Sequence, residues 1–216
     1  MPTMAMALRI TLIWYASEMD RQRAELQNLK SQINPHFLLN TLNNIYSLTA
    51  FDTHKAQEAI QQLSRMLRYM LYEDSAKPVK LLREIEFVQQ YIDLMKLRVA
   101  DNVDVRFDLQ LPPNCQHEVM PHIFISAVEN AFKHGVSATQ PSFIHVSCVH
   151  DEHGVIHFSV INSNFPKPKA DKSPGGIGLQ QVERRLELSY PGRYTWTHGV
   201  SADGTTYSSQ IELRKE

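Results

Sequence analysis

Charge imbalance, cysteines and long apolar runs are all scarce in this chain. The formal net charge over 216 residues is −1, with 22 basic against 23 acidic side chains. That gives no electrostatic case for direct nucleic-acid binding, which needs a basic surface. Only two cysteines occur, Cys115 and Cys148, too few and too unpatterned for a disulfide framework, so a reducing setting is the default. No uninterrupted apolar stretch reaches the roughly 20 residues of a membrane-spanning helix. The most apolar segment, Met4 to Ala16, is short and broken by Arg9. It also lacks a signal-peptide cleavage site. Two readings stay open for it: the start of an amphipathic helix, or the inner end of a transmembrane helix whose beginning is missing. The abrupt change to the charged run Glu18-Met-Asp-Arg-Gln-Arg-Ala-Glu25 favours the second. Repeats and low-complexity tracts are absent. What is left is an ordinary globular composition, 43% apolar and 21% charged, sufficient for one medium or two small cores.

The first hundred residues read as helix. Leu26, Leu29, Ile33, Phe37 and Leu38 recur at the spacing of one buried helical face, within a helix expected from about Leu8 to Leu48. Pro35 interrupts it. A proline inside a helix costs about 3 kcal/mol, and here it stands beside His36. Placing a strained position next to an imidazole points to chemistry as well as to a kink. A neutral imidazole near pH 7 can serve as nucleophile or base. Asn40, one turn on, can hold one ring nitrogen and leave the other exposed. Asp52 or Thr53 can cap a second helix with an apolar stripe of Ala59, Ile60, Leu63, Met66, Leu67, Met70 and Leu71. Two such helices cannot bury both stripes alone, so pairing with a second copy is expected. Ser75-Ala-Lys-Pro78 ends the hairpin, and a third helix is predicted from about Leu81 to Val99.

Beyond Ala100 the pattern changes to strands mixed with a few helices, mostly antiparallel: an α+β layer sandwich. Val103–Leu109 alternates as a half-buried strand. Pro121 is suited to open a helix that runs to about Lys133 and closes at Gly135. Phe143–Val149 and Val155–Ile161 read as a hairpin around Asp151-Glu-His-Gly154. A polar loop from Asn162 to Gly176 leads into a helix from Leu179 to Ser189, and Tyr194–Thr197 and Thr206–Leu213 close the chain as strands.

Two motifs carry phosphate chemistry. In Pro121-His-Ile-Phe-Ile-Ser-Ala-Val-Glu-Asn-Ala-Phe-Lys-His-Gly135, Glu129, Asn130, Lys133 and His134 gather near one helix end. An amide oxygen is a hard ligand suited to Mg²⁺, and the cations suit phosphate. In Pro174-Gly-Gly-Ile-Gly-Leu-Gln-Gln-Val-Glu-Arg-Arg-Leu186, glycines 175, 176 and 178 precede a helix and allow backbone N–H groups to approach phosphate. There is no P-loop lysine and no βαβ setting, which excludes those two nucleotide motifs.

The order of the pieces is itself a signature. Gln32-Ile-Asn-Pro-His-Phe-Leu-Leu-Asn40, then Glu84, Tyr91 and Arg98, then Val128-Glu-Asn-Ala-Phe-Lys-His-Gly135, then Gly176-Ile-Gly-Leu179 with Arg184-Arg-Leu186 resembles the LytS/YehU-type sensor histidine kinases. The resemblance covers about Glu25 to the C-terminus. It implies a dimerising helical hairpin bearing a phospho-accepting His36, followed by a Bergerat-type (GHKL) ATP-binding domain. The division that follows is a signalling or transmembrane remnant at 1–17, dimerisation and phospho-acceptor helices at 18–78, and a catalytic domain with its leading helix at 79–216. By position, Asn130 would bind Mg²⁺ beside Glu129, Lys133 and His134 would line the phosphates, and Gly176 and Gly178, with Leu179, would form the nucleotide lid. Arg185 would match the arginine that follows the glycine box. The implied partners are ATP, Mg²⁺, a second copy of the chain and a response regulator, of LytTR type. The implied setting is the cytoplasmic side of a bacterial inner membrane, reached through a preceding transmembrane region.

Three departures stand out. Where the family's Asp-x-Gly-x-Gly adenine box falls, this chain reads Asn162-Ser-Asn-Phe-Pro166. An asparagine oxygen still accepts from an adenine amino group, without charge. Gln181 stands where the family usually has asparagine, and Phe37 follows His36 where many histidine kinases carry an acidic base. The altered adenine box motivates the alternative, a degenerate, non-catalytic nucleotide-binding and dimerisation module. A GHKL ATPase is disfavoured because Ser126 occupies the position of its catalytic glutamate. His145, Cys148, His150, His153 and His157 crowd the predicted hairpin, but strand alternation puts His145 on the face opposite Cys148 and His150.

Overall fold

The computed structural model describes residues 35–73, 77–165 and 177–214. Helix α1, Pro35–Leu48, is followed by α2, Thr53–Tyr72. The Asp52 side chain caps α2 by accepting from the Lys55 amide at 3.0 Å, as its sequence position predicts. The helix expected from Leu8 is thus described from Pro35 onward; its earlier part, the segment 1–17 and the charged run lie outside the described residues. Ala56, Ala59, Leu63, Met66 and Tyr69 are the buried face of α2. Ile60 and Leu71 of the expected stripe are instead about half exposed, at 49% and 46%. They lie at the edges of a stripe too wide for one neighbouring helix to cover.

A two-stranded antiparallel clasp joins the hairpin to the rest of the chain. Its strands are β1, Val79–Lys80, and β3, Glu118–Val119. Between them come α3, Leu81–Lys96, and β2, Val103–Gln110. Then follow α4, Ile125–His134; β4, Ser142–His150; β5, Ile156–Ser163; α5, Ile177–Ser189; β6, Tyr194–Val200; and β7, Thr206–Leu213. The five-stranded sheet has the order β2-β4-β5-β7-β6. Only the β2–β4 pair is parallel. The expected hairpin is present, turning at Gly154 with φ 78°.

One contiguous hydrophobic core runs from Phe37 and Ile45 in α1, through α3, to Leu213 in the last strand. Helix α3 is its middle layer, with Leu81, Ile85, Val88, Ile92 and Leu94 all at 3% exposure or less. The sheet contributes Ile144, Val146, Cys148, Ile156, Phe158, Val160 and Ile211 to the same core, the period-2 face expected of strands covered on one side.

Two sequence expectations need correction. The helix predicted to open at Pro121 begins at Ile125. Residues 121–124 are held out of it because other side chains claim their backbone groups, as described below, and because His122 sits at φ 60°, outside any helix. Asn162, placed at the start of a loop, is instead the penultimate residue of β5 and 1% exposed. The loop residues 166–176 lie outside the described residues.

Candidate nucleotide and phospho-acceptor site

Helix α4 buries Ala127, Val128, Ala131 and Phe132, and this fixes which side chains it can offer elsewhere. Glu129, Asn130, Lys133 and His134 fall on the remaining side, clustered over its last turn and a half. Asn130 and His134 are half-buried and Lys133 is exposed. Glu129 is likewise half-buried, and desolvation pushes its carboxyl up to about 7, with Lys133 pulling the other way. Gly135 then caps the helix, its N–H donating to Ala131 O at 2.7 Å.

Gly135 is also where two distant motifs meet. A Cβ added there would come within 2.6 Å of Asn162 Nδ2 and 2.7 Å of Asn162 Cβ. The polar end of α4 is therefore packed directly onto Asn162, with no room for a side chain between them. Asn162 cannot move aside: its Nδ2 donates to Ser163 O at 2.8 Å. That bond uses one of the two amide N–H donors and leaves Oδ1 as an acceptor. The Ser163 hydroxyl accepts from Phe143 N at 2.9 Å, locking the end of β5 to β4.

Strand pairing adds residues that the sequence reading did not single out. Tyr207 lies opposite Asn162 and Thr206 opposite Ser163, while Asn164 N donates to Thr205 O at 2.7 Å. The turn before β7 is held by Asp203, which accepts from Thr205 N and from the Thr205 and Ser201 hydroxyls, lowering its carboxyl to about 2. The Asp203-Gly-Thr-Thr206 turn was the available signal, legible as a hairpin but not as a neighbour of Asn162.

Of the glycine box, Gly178 falls in the first turn of α5 and Leu179 is half-buried, while Gly176 lies outside the described residues. Arg185 has protein partners. Its Nη1 donates to Pro121 O at 3.1 Å and to His122 O at 2.8 Å. These carbonyls belong to the stretch that leads into α4, so Arg185 ties α5 to the approach of α4.

The same stretch is gripped from the other side by Glu84, which is fully buried in the first turn of α3. Glu84 Oε2 accepts from the Tyr69 hydroxyl at 2.7 Å and from His122 N at 2.9 Å. Burial raises its pKa, opposed by these hydrogen bonds and by the positive charge of Arg185. The His122 ring meets Tyr69 and Phe87 edge-on at 5.3 and 5.4 Å. Burial lowers its pKa to about 4, which keeps the ring neutral. Four elements, α2, α3, the 121–124 stretch and α5, thus meet at one buried carboxyl.

At the other end, the backbone of His36 lies in α1, while its side chain lies outside the described part. Asn40 is half-buried one turn further on. Three of the crowded histidines have separate company. His145 faces Asp104 at 3.3 Å, and His157 lies between Asp151 at 3.0 Å and Glu212 at 3.5 Å. His150 Nε2 is 3.2 Å from His117 Nδ1. Cys148 is fully buried, its thiol pushed up to about 12 by desolvation.

Comparison with known proteins agrees with this architecture. Residues 24–103 match the histidine kinase family. The chain is 30% identical over 177 residues to the Escherichia coli sensor histidine kinase YpdA, covering 78% of this chain and 31% of that protein. It is 32% identical over 201 residues to the sensor protein LytS of Staphylococcus haemolyticus, covering 87% of this chain and 34% of that protein. With an uncharacterised sensor-like histidine kinase of Staphylococcus epidermidis it shares 36% over 206 residues, covering 88% and 39%. The chain spans roughly a third of the length of these relatives. Among solved structures, the histidine kinase domain of the Erythrobacter litoralis EL346 blue-light activated kinase superposes with a TM-score of 0.50 at 13% identity, covering 91% of this chain and 95% of that one. The fold is that of a histidine kinase, helices followed by a GHKL-type α/β layer. The chain belongs with the LytS-type sensor histidine kinases.

Two outcomes follow from the α4 geometry. A carboxyl titrating near 7 in the folded protein and near 4.5 in the unfolded chain makes stability fall as pH rises between those values. Glu129→Gln should match wild type at pH 4.5 in urea unfolding and exceed it by about 2–3 kcal/mol at pH 8. A pH-independent difference would contradict this. Gly135→Ala should lose about 1–3 kcal/mol of stability by overpacking against Asn162 and weaken Mg·ATP binding in calorimetry; unchanged values on both counts would show that the contact has slack.

Proposed function

We propose that this chain is the kinase core of a two-component sensor: it transfers the γ-phosphoryl group of ATP to His36 and passes it to an aspartate of a response regulator. The observation that carries the reading is the packing of Gly135 on Asn162. It joins the cationic, amide-bearing end of α4 to the single acceptor oxygen that Asn162 leaves available for an adenine amino group. Lys133 supplies positive charge and His134 a ring nitrogen at the phosphate end, and Gly176 and Gly178 supply close backbone approach, with Leu179 beside them. Asn130 fits Mg²⁺ as a hard oxygen donor, half-buried beside the Glu129 carboxyl. When bound, Mg²⁺ offsets charge on the phosphate oxygens.

In this mechanism a neutral ring nitrogen of His36 attacks the γ-phosphorus. The bond to the bridging oxygen breaks, its electron pair stays on ADP, and Asn40 orients the imidazole. Transfer to the regulator's aspartate reverses the attack with a carboxylate as nucleophile. The division into phospho-acceptor helices at 18–78 and a catalytic part at 79–216 belongs to this reading.

Pairing with a second copy is supported by the hairpin's outer face. Leu39, Leu42 and Tyr46 are 61%, 46% and 79% exposed at helical spacing on α1, and Ile60 and Leu71 add to it from α2. Attachment to a bacterial inner membrane through a preceding region, with this part cytoplasmic, and a LytTR-type regulator complete the proposal. Among the described residues no helix is long and apolar enough to cross a membrane.

A degenerate module that binds nucleotide without turnover is favoured only by the uncharged Asn162. One experiment separates the two. Incubation with γ-³²P-ATP should label the wild-type protein with an acid-labile, base-stable phosphate and leave His36→Gln unlabelled. Equal labelling of both would sink the assignment of His36. Nucleotide binding without labelling would establish the degenerate module.

A further inference from the structure

Glu84, Tyr91 and Arg98 recur at seven-residue intervals along α3 and just beyond it. Seven residues make about two helical turns, so Glu84 and Tyr91 share a face. Glu84 is explained by the junction with Tyr69, His122 and Arg185. Tyr91 takes no part in that junction, yet it is buried, at 5% exposure.

Its ring stacks on Phe37, centroids 5.1 Å apart and planes at 26°. Its other contact is edge-on with Phe132, at 6.1 Å and 74°. Phe37 is bonded directly to His36, and Phe132 lies on α4 between Asn130 and Lys133. The Tyr91 phenol also feels Glu129, which together with burial keeps it protonated. An aromatic column, Phe37–Tyr91–Phe132, therefore crosses from the helix of the phosphoryl acceptor to the helix of the phosphate-binding cluster, with α3 as its middle member.

We propose that Tyr91 is a positioning residue for phosphoryl transfer, setting the separation and orientation of α1 against α4 through its stack on Phe37 and its edge contact with Phe132. The proposal rests on the kinase reading above. In-line displacement requires the attacking nitrogen and the phosphorus to be held in near-attack geometry. Stacked and edge-on rings define both distance and tilt, which an aliphatic side chain of similar size does not. The contact touches neither nucleotide nor imidazole, so its loss should appear in the rate of transfer and not in the affinity for ATP.

The test is single-turnover labelling of His36 by γ-³²P-ATP, with Mg·ATP affinity measured by calorimetry on the same preparations. For Tyr91→Leu the labelling rate should fall about a hundredfold, the loss expected from an ångström-scale misplacement. Its ATP affinity should stay within about threefold of wild type. Tyr91→Phe, which keeps the ring, should restore most of the rate. Phe37→Leu attacks the column from its other end and should reproduce the same split, which covers the case where Tyr91→Leu fails to fold. A wild-type rate in Tyr91→Leu, or a loss of ATP affinity in step with the loss of rate, would overturn the positioning role while leaving the kinase reading intact. Unlabelled wild-type protein would overturn that reading and the inference together.

Discussion

A carboxyl sealed from water is held in place only if its partners are supplied by the protein, and Glu84 is supplied from three elements other than its own helix. Tyr69 reaches it from α2 and His122 N from the stretch before α4. Arg185 on α5 faces it electrostatically while binding the carbonyls of Pro121 and His122. Removing one member of such a buried set commonly costs about 3–5 kcal/mol, because the remaining groups stay desolvated without their partners. The arrangement also explains why His122 tolerates φ 60°. Its amide is claimed by the Glu84 carboxyl and its carbonyl by Arg185, and these bonds offset a backbone conformation that a histidine would otherwise avoid.

Everything the nucleotide reading needs lies downstream of that junction. The 121–124 stretch sets where α4 begins, and the start of α4 sets the height of Asn130 and Lys133 above the sheet. Gly135 then sets how closely that end meets Asn162. Helix α5, which carries the last glycine of the lid motif, is anchored by Val182 and Leu186 in the core and by Arg185 in the junction. Because Tyr69 belongs to the hairpin, the same carboxyl connects the α1–α2 hairpin to α5.

Local features were legible in the sequence wherever the signal is local. The Asp52 cap, the Gly154 turn, the Gly135 stop and the alternation of β2, β4 and β5 all follow from rules spanning a few residues. So did the clustering of Glu129, Asn130, Lys133 and His134 over one helix end. What failed was decided at long range. Pro121 is a good helix opener by itself, but Glu84 and Arg185, from sequence positions 37 residues before and 64 after, take the backbone groups that a helix would use. Asn162 looked like the first residue of a loop because Asn-Ser-Asn is turn-like, and its burial comes from Gly135 and from pairing with β7. Ile60 and Leu71 looked like core because a stripe alone does not tell how many neighbours will cover it. Glu84 appeared only as a member of a family pattern; nothing local predicts that a glutamate in a helix's first turn is wholly buried.

If Glu84 is what ties the hairpin to the catalytic layer, its removal should loosen that joint without unfolding the sheet. Amide hydrogen exchange on Glu84→Leu tests this most directly. Residues 119–124 and the last two turns of α5 should exchange at least about tenfold faster than in wild type, while β4 and β5 keep their protection. Unchanged exchange at 119–124 and in α5 would contradict the claim, and show that packing alone holds the two layers together.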